Sequence, residues 1–268
     1  MTTIGVFDSG VGGLTVLREL LAAVPQADYL YLGDTARLPY GSKSAATIAR
    51  YAVSSVQFLV DHGAEYLVIA CNTASALAME EIRVAVAVPV LGVIEPGARA
   101  ASGLTRSKHV RVIGTAATVA SHAYLKELSK LGIEAVEKAC PLFVPLVEEG
   151  WTDHPVTEQV ARIYLDQLTG EQGAADNDRA DVLVLGCTHY PLLKPLLRRV
   201  ISNGMQLVDS AQATAHEVSR RLSLGKVSPA RDPQVRFFAT DSVEKFRSLG
   251  SRFLGREIPR VELISLPE

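Results

Sequence analysis

Residues 67–73 read LVIACNT and residues 183–189 read LVLGCTH. In each, a short apolar run stops abruptly at small polar residues, and a cysteine stands at the same point of the turn. A continuous apolar run bounded by turn residues fits a strand buried on both faces. Similar runs at residues 4–7, 29–32, 66–70, 90–93, 110–113, 182–185 and 206–208 predict further strands. Helical patterns lie between them, most clearly Ile48, Tyr51, Ala52, Ser55, Val56, Leu59 and Val60 at the i, i+3, i+4, i+7 spacing. Strands alternating with helices imply an α/β architecture with a parallel sheet. Ligands of open α/β sheets bind beyond the carboxyl ends of the strands. Each repeat therefore delivers one thiol to a binding edge, and two related lobes facing each other set the thiols on opposite walls of one cleft. A fainter echo links residues 4–10 (IGVFDSG) with 112–118 (VIGTAAT).

A chain of 268 residues suits two lobes better than one core. Crossings between them are expected at residues 94–97 and 208–210, where a strand ends in a turn without an obvious following helix. That division assigns residues 1–95 and 210–268 to a first lobe and 96–209 to a second. Residues 170–179 (GEQGAADNDR) read as an exposed loop. Basic residues number 27 against 29 acidic ones, with no basic block, so a nucleic-acid partner is not expected. No apolar run approaches the roughly 18 residues of a membrane span, and the polar start Met1-Thr2-Thr3 leads directly into a strand. The expectation is a cytoplasmic protein with no membrane segment and no cleaved signal. Cys71, Cys140 and Cys187 are odd in number and lack CxxC spacing, which argues for reduced thiols over a disulfide framework or a metal site.

Cys71 precedes Asn72, Thr73, Ala74 and Ser75, residues able to start a helix, and a helix N-terminus favours a thiolate. The plainer reading is a buried cysteine acting as a small hydrophobe. Cys187 repeats the arrangement, with His189 two residues on and able to exchange a proton with it. Cys140 has an apolar neighbourhood and reads as core. Asp8 opens the turn DSGVGGL, which is neither GxGxxG nor a phosphate loop. Asp8 either binds an ammonium or orients a base, or else caps a helix together with Ser9. The loop GDTARLPYGS at 33–42, stiffened by Pro39, presents amides and the Tyr40 ring to a ligand or serves as an ordinary connection. Of the adjacent Glu148 and Glu149, only one can point inward.

Taken together, six stretches resemble the glutamate racemase family: FDSGVGGLTV at 7–16, GDTARLPYG at 33–41, ACNTASA at 70–76, GTAATV at 114–119, PLVEEGW at 145–151 and GCTHYPLL at 186–193. The residues after Leu222 add little to the likeness. The resemblance implies two similar three-layer α/β lobes with mostly parallel sheets, related by a pseudo-twofold, with the active site in the interlobe cleft. It implies no pyridoxal phosphate or other cofactor and no metal. Cys71 and Cys187 would be the acid/base thiols, with Asp8 supporting the first and Glu149 with His189 supporting the second. Substrate would be bound by Asp8, Ser9, Tyr40, Gly41, Asn72, Thr73, Thr188 and His189, with Thr115 and Thr118 as additions. The implied reaction interconverts L- and D-glutamate and supplies D-glutamate for peptidoglycan. An aspartate or related racemase, a thiol switch and a non-enzymatic amino acid sensor are the alternatives, and a homodimer is left open. Inversion by proton exchange needs a base on one face of the carbon and an acid on the other. Near-attack geometry then sets the sulfurs roughly 6 to 8 Å apart, too far for a disulfide.

Overall fold

The structure is a computed structural model that describes residues 2–166, 168, 180–201, 204–222 and 231–267. The first half of the chain runs β1 (Thr3–Asp8), α1 (Leu14–Ala23), β2 (Asp28–Gly33), α2 (Ala45–Asp61), β3 (Tyr66–Ile69), α3 (Asn72–Leu77), α4 (Met79–Ala85), β4 (Val90–Gly92), α5 (Ile94–Leu104), β5 (His109–Gly114), α6 (Ala116–Ser121) and α7 (Ala123–Lys130). The second half runs β6 (Glu134–Ala139), α8 (Phe143–Glu148), α9 (Pro155–Asp166), β7 (Val182–Gly186), α10 (Lys194–Val200), β8 (Gln206–Asp209), α11 (Ser210–Arg221), β9 (Val235–Ala239), α12 (Val243–Leu254) and β10 (Glu262–Leu263).

Two all-parallel sheets result, in the orders β10-β9-β2-β1-β3-β4 and β6-β5-β7-β8. Without its outer pair β9 and β10, the first sheet has the strand order of the second. LVIACNT and LVLGCTH thus occupy equivalent strands, β3 and β7, and the fainter echo occupies β1 and β5. In both sheets the chain leaves the first strand to one side and returns on the other. The crevice at such a reversal, here between β1 and β3 and between β5 and β7, is where α/β sheets bind ligands.

Alternating residues of the central strands face opposite ways, as the two-residue period of a strand requires. Ile4 and Val6 of β1 and Tyr66 and Val68 of β3 join one apolar cluster, while Phe7, Leu67 and Ile69 join another on the opposite face. In the second sheet Ile113, Leu183 and Leu185 belong to the first of these clusters, and Val110, Val112, Val182 and Val184 to a third. One face of each sheet therefore drains into a common core, bridged by Leu14 and Leu17 of α1, Leu197 of α10 and Ala211, Ala215 and Val218 of α11. On α2, Ile48, Ala52, Ser55, Val56 and Leu59 are buried as the periodicity predicts, and Ser44 accepts from the Thr47 amide at its start.

One expectation is corrected. Residues 94–97 and 208–210 are not bare turns, because α5 begins at Ile94 and α11 at Ser210. Pro96 lies in the first turn of α5, where a missing N–H breaks no helical bond, and Asp209 Oδ1 caps α11 by accepting from the amides of Ala211 (2.7 Å) and Gln212 (3.2 Å). β6 (EAVEKA) escaped the sequence reading because it is a half-exposed edge strand that carries charges. The residues after Leu222 hold β9, α12 and β10, which extend the first sheet and brace the site described next. Residues 170–179 lie outside the described residues. Among the described residues no helix is long and apolar enough to cross a membrane.

Candidate active site

Cys71 stands where β3 gives way to α3. Its backbone is extended (φ −66°, ψ 118°), and its Sγ accepts from the Ala74 amide at 3.4 Å, so the thiol itself caps the helix. On the neighbouring strand end, the Ser9 hydroxyl lies 3.5 Å away and accepts from the thiol. Asp8, one residue earlier, accepts from the Gly10 amide through Oδ2 at 2.9 Å. Its Oδ1 is buried without a partner. Burial raises the Asp8 pKa, against the pull of the Gly10 and Gly13 amides and of His189. Burial, and then the Asp8 charge, push the Cys71 thiol up to about 12. The helix start alone favours a thiolate, but at this site the opposing effects are larger, and Cys71 rests as the thiol.

Cys187 repeats this position after β7. Its Sγ is 4.0 Å from His189 Nδ1, and Thr188 Oγ1 is 3.4 Å from the same nitrogen. The other ring nitrogen, Nε2, meets Glu148 Oε1 at 3.1 Å. Burial alone would lower the His189 pKa, but its bonds to Cys187 and Glu148 outweigh burial and raise it to about 10. The bond to His189 in turn lowers the pKa of Glu148. Cys187 thus has an imidazolium beside it, and Cys71 a carboxylate. Here the residue expected from the resemblance is corrected: Glu149 is exposed at the end of α8, and Glu148 is the partner of His189. Successive helical residues differ by about 100° in direction, so only one of two adjacent acids can face the ring.

The two halves meet directly over these residues. Thr15 of α1 donates to the Thr188 carbonyl at 3.0 Å. A Cβ on Gly12 would lie 2.2 Å from Thr188 Oγ1 and 2.6 Å from His189 Nδ1, so only glycine lets this turn approach so closely. Thr73 Oγ1 is 3.0 Å from Thr115 Oγ1, which is 2.9 Å from Thr118 Oγ1. Gly41 abuts Thr115. Asn72 Oδ1 accepts from Tyr124 at 2.8 Å, whereas Asn72 Nδ2 is buried without a partner. Tyr40 is buried, and its hydroxyl donates to Asp34 Oδ2 at 2.6 Å, so the phenol stiffens its own loop.

Sequence reasoning weighed Glu148 but gave its role to Glu149, and it missed the parts played by Gly12, Thr15 and two side chains of α12. Phe253 packs edge-on against the His189 ring at 5.0 Å. Arg252 donates to the carbonyls of Val147 (3.2 Å) and Glu148 (2.6 Å), closing the carboxyl end of α8. Of the missed residues only Gly12 left a signal, in the glycine-rich GVGG turn. Cys140 lies in the core, its thiol pushed up to about 12 by burial, and all three cysteines are free. Among the described residues no three His, Cys, Asp or Glu side chains are grouped as metal ligands would be.

The chain belongs to the Asp/Glu/hydantoin racemase family, whose sequence model matches residues 4–218. Within it the similarity is to glutamate racemases. That of Koribacter versatilis (strain Ellin345) is 54% identical over 98% of this chain and 97% of its own length. Among solved structures, a glutamate racemase isoform of Bacillus anthracis superposes with a TM-score of 0.91 at 37% identity, covering 99% of this chain and 98% of that one. The glutamate racemase of Francisella tularensis, solved with D-glutamate, gives 0.87 at 37% identity over 98% and 97% of the two chains.

Proposed function

We propose that this chain interconverts L- and D-glutamate without a cofactor, by proton exchange through Cys71 and Cys187. What carries the reading is a cysteine at each of two equivalent strand ends, with neighbours of opposite charge, around a buried acceptor and a buried donor that lack partners. An amino acid supplies both missing partners. Its ammonium fits Asp8 Oδ1, and a carboxylate fits Asn72 Nδ2.

In one direction the Cys187 thiolate removes the Cα proton and the Cys71 thiol gives its own to the opposite face. In the other direction the roles exchange. His189, held by Glu148, keeps positive charge beside the Cys187 sulfur. An ammonium arriving at Asp8 offsets the carboxylate that keeps Cys71 protonated, which equips Cys71 to act as the base. Hydroxyls of Ser9, Thr73, Thr115, Thr118 and Thr188 line the enclosed site and stabilise charge on the substrate as the proton leaves. Tyr40 and Gly41 close it from the side of the first lobe. We assign residues 1–95 and 210–268 to the lobe bearing Asp8 and Cys71, and 96–209 to the lobe bearing Glu148, Cys187 and His189. All groups used come from one chain, so the chemistry does not require a homodimer. A cytoplasmic setting keeps the thiols reduced, and the D-glutamate produced supplies peptidoglycan synthesis.

The test is incubation with L-glutamate in heavy water without added cofactor. Incorporation of deuterium at Cα with loss of optical rotation is expected. Binding without exchange would make the protein a sensor, and faster exchange on aspartate would reassign the substrate. Two substitutions probe the charged neighbours. Glu148→Gln is expected to lower kcat at least tenfold and to bring the His189 pKa down from about 10, read by nitrogen NMR of the ring, whereas Glu149→Gln changes kcat less than about twofold. The reverse ranking would restore Glu149. Asp8→Asn removes a charge that disfavours the thiolate, so the Cys71 pKa falls below about 12 and its alkylation by iodoacetamide sets in at lower pH. An unchanged onset would contradict the assigned cause.

A further inference from the structure

Tyr124 is completely buried, yet it lies in none of the six stretches that carry the family likeness. It projects from α7 into a slot made by two glycines. A Cβ on Gly186 would lie 2.9 Å from the ring, and one on Gly97 3.2 Å from both the ring and the hydroxyl. Gly186 immediately precedes Cys187, and the Tyr124 hydroxyl donates at 2.8 Å to Oδ1 of Asn72, which immediately follows Cys71. One rigid side chain therefore touches the neighbours of both thiols.

The consequence falls on the Asn72 amide. An asparagine side chain offers an acceptor at one end and two donors at the other, and the two ends exchange by a half-turn. With Oδ1 held by the phenol, Nδ2 takes the opposite side, where it is buried and unpartnered. A buried N–H without an acceptor in the protein is costly, which marks the Asn72 amide for a ligand. We propose that Tyr124 is a positioning residue that locks the Asn72 amide with its N–H groups toward the cleft, so that they donate to an oxygen of a substrate carboxylate. The bond joins α7 to α3, so the donor is fixed only while the two sheets hold their present spacing. The inference rests on the reading of Asn72 as a substrate-binding residue.

Steady-state kinetics of the full chain with both enantiomers of glutamate test it. Tyr124→Phe keeps the ring and removes the lock. KM is expected to rise about tenfold while kcat changes less than about threefold and the unfolding midpoint moves by only a few degrees. Asn72→Ala raises KM further, and adding Tyr124→Phe to it has no additional effect, because the lock has nothing left to hold. If Asn72→Ala leaves KM unchanged, the substrate-binding reading of Asn72 fails. If Asn72→Ala raises KM but Tyr124→Phe does not, or if the two effects add in full, the positioning role alone is overturned. Asn72→Asp keeps an acceptor for the Tyr124 hydroxyl and replaces the donors with a second oxygen. It is expected to raise KM at least a hundredfold in a folded protein, and a KM like that of the parent chain would overturn the orientation assigned to the amide, even if Tyr124→Phe does not fold.

Discussion

Cys71→Ser and Cys187→Ser are each expected to lower glutamate racemisation by on the order of 10³-fold in both directions. Serine has nearly the shape of cysteine, so substrate binding and the fold survive, but its hydroxyl is far less able to hold negative charge. Inversion needs one proton removed and one delivered on opposite faces, and loss of either station blocks it. The surviving thiol still faces one side of the carbon. Each variant should therefore exchange the α-proton of one enantiomer in heavy water faster than that of the other, and the preference should reverse between the two variants. Chiral chromatography with proton NMR of the α position reads both quantities. Racemisation at the parent rate in either variant would remove the two-thiol mechanism, and the same enantiomeric preference in both would put the sulfurs on one side.

Gly12→Ala is expected to cost at least about a hundredfold in kcat, although it adds one methyl group and no charge. The new Cβ would lie 2.2 Å from Thr188 Oγ1, 2.6 Å from His189 Nδ1 and 2.7 Å from His189 Cε1. Each is far inside contact distance, so either the β1–α1 turn or the Thr188–His189 turn must retreat by about 1 Å. A displacement of that size at reacting groups is worth about 10² in rate. Overpacking should also lower stability by roughly 1–3 kcal/mol. Gly103→Ala is the control, since its Cβ meets nothing within 4 Å. Inside α5 it should raise stability by up to about 1 kcal/mol and leave kcat unchanged. Equal kinetics for the two variants would show that the approach of the turns is not needed.

The strands that matter most were legible because burial on both faces writes itself into a sequence as an uninterrupted apolar run. β3 and β7 are of this kind, β1 nearly so, and β5 keeps Val110, Val112 and Ile113 around Arg111; Asp8, Cys71, Thr115 and Cys187 stand at their carboxyl ends. β6 and β10 were not legible, since an edge strand in contact with solvent tolerates Glu and Lys and loses that signature. The helical starts at Ile94 and Ser210 were hidden by Pro96, Gly97 and Asp209, residues that mark a turn and the first turn of a helix equally well.

By itself the amino-acid sequence determined which residues are available for chemistry and which strand ends they follow, because local periodicity and turn composition act over a few residues. The repeated cysteine turn predicts a thiol on each of two similar sheets. Only the tertiary structure decided who stands beside whom. Glu148 and not Glu149 reaches His189, Asp8 lies within electrostatic range of His189, Phe253 covers the imidazole, and Tyr124 holds Asn72. These pairs are separated by 41 to 181 residues of chain. Their meeting depends on the common core that joins one face of each sheet, and no local pattern encodes that packing.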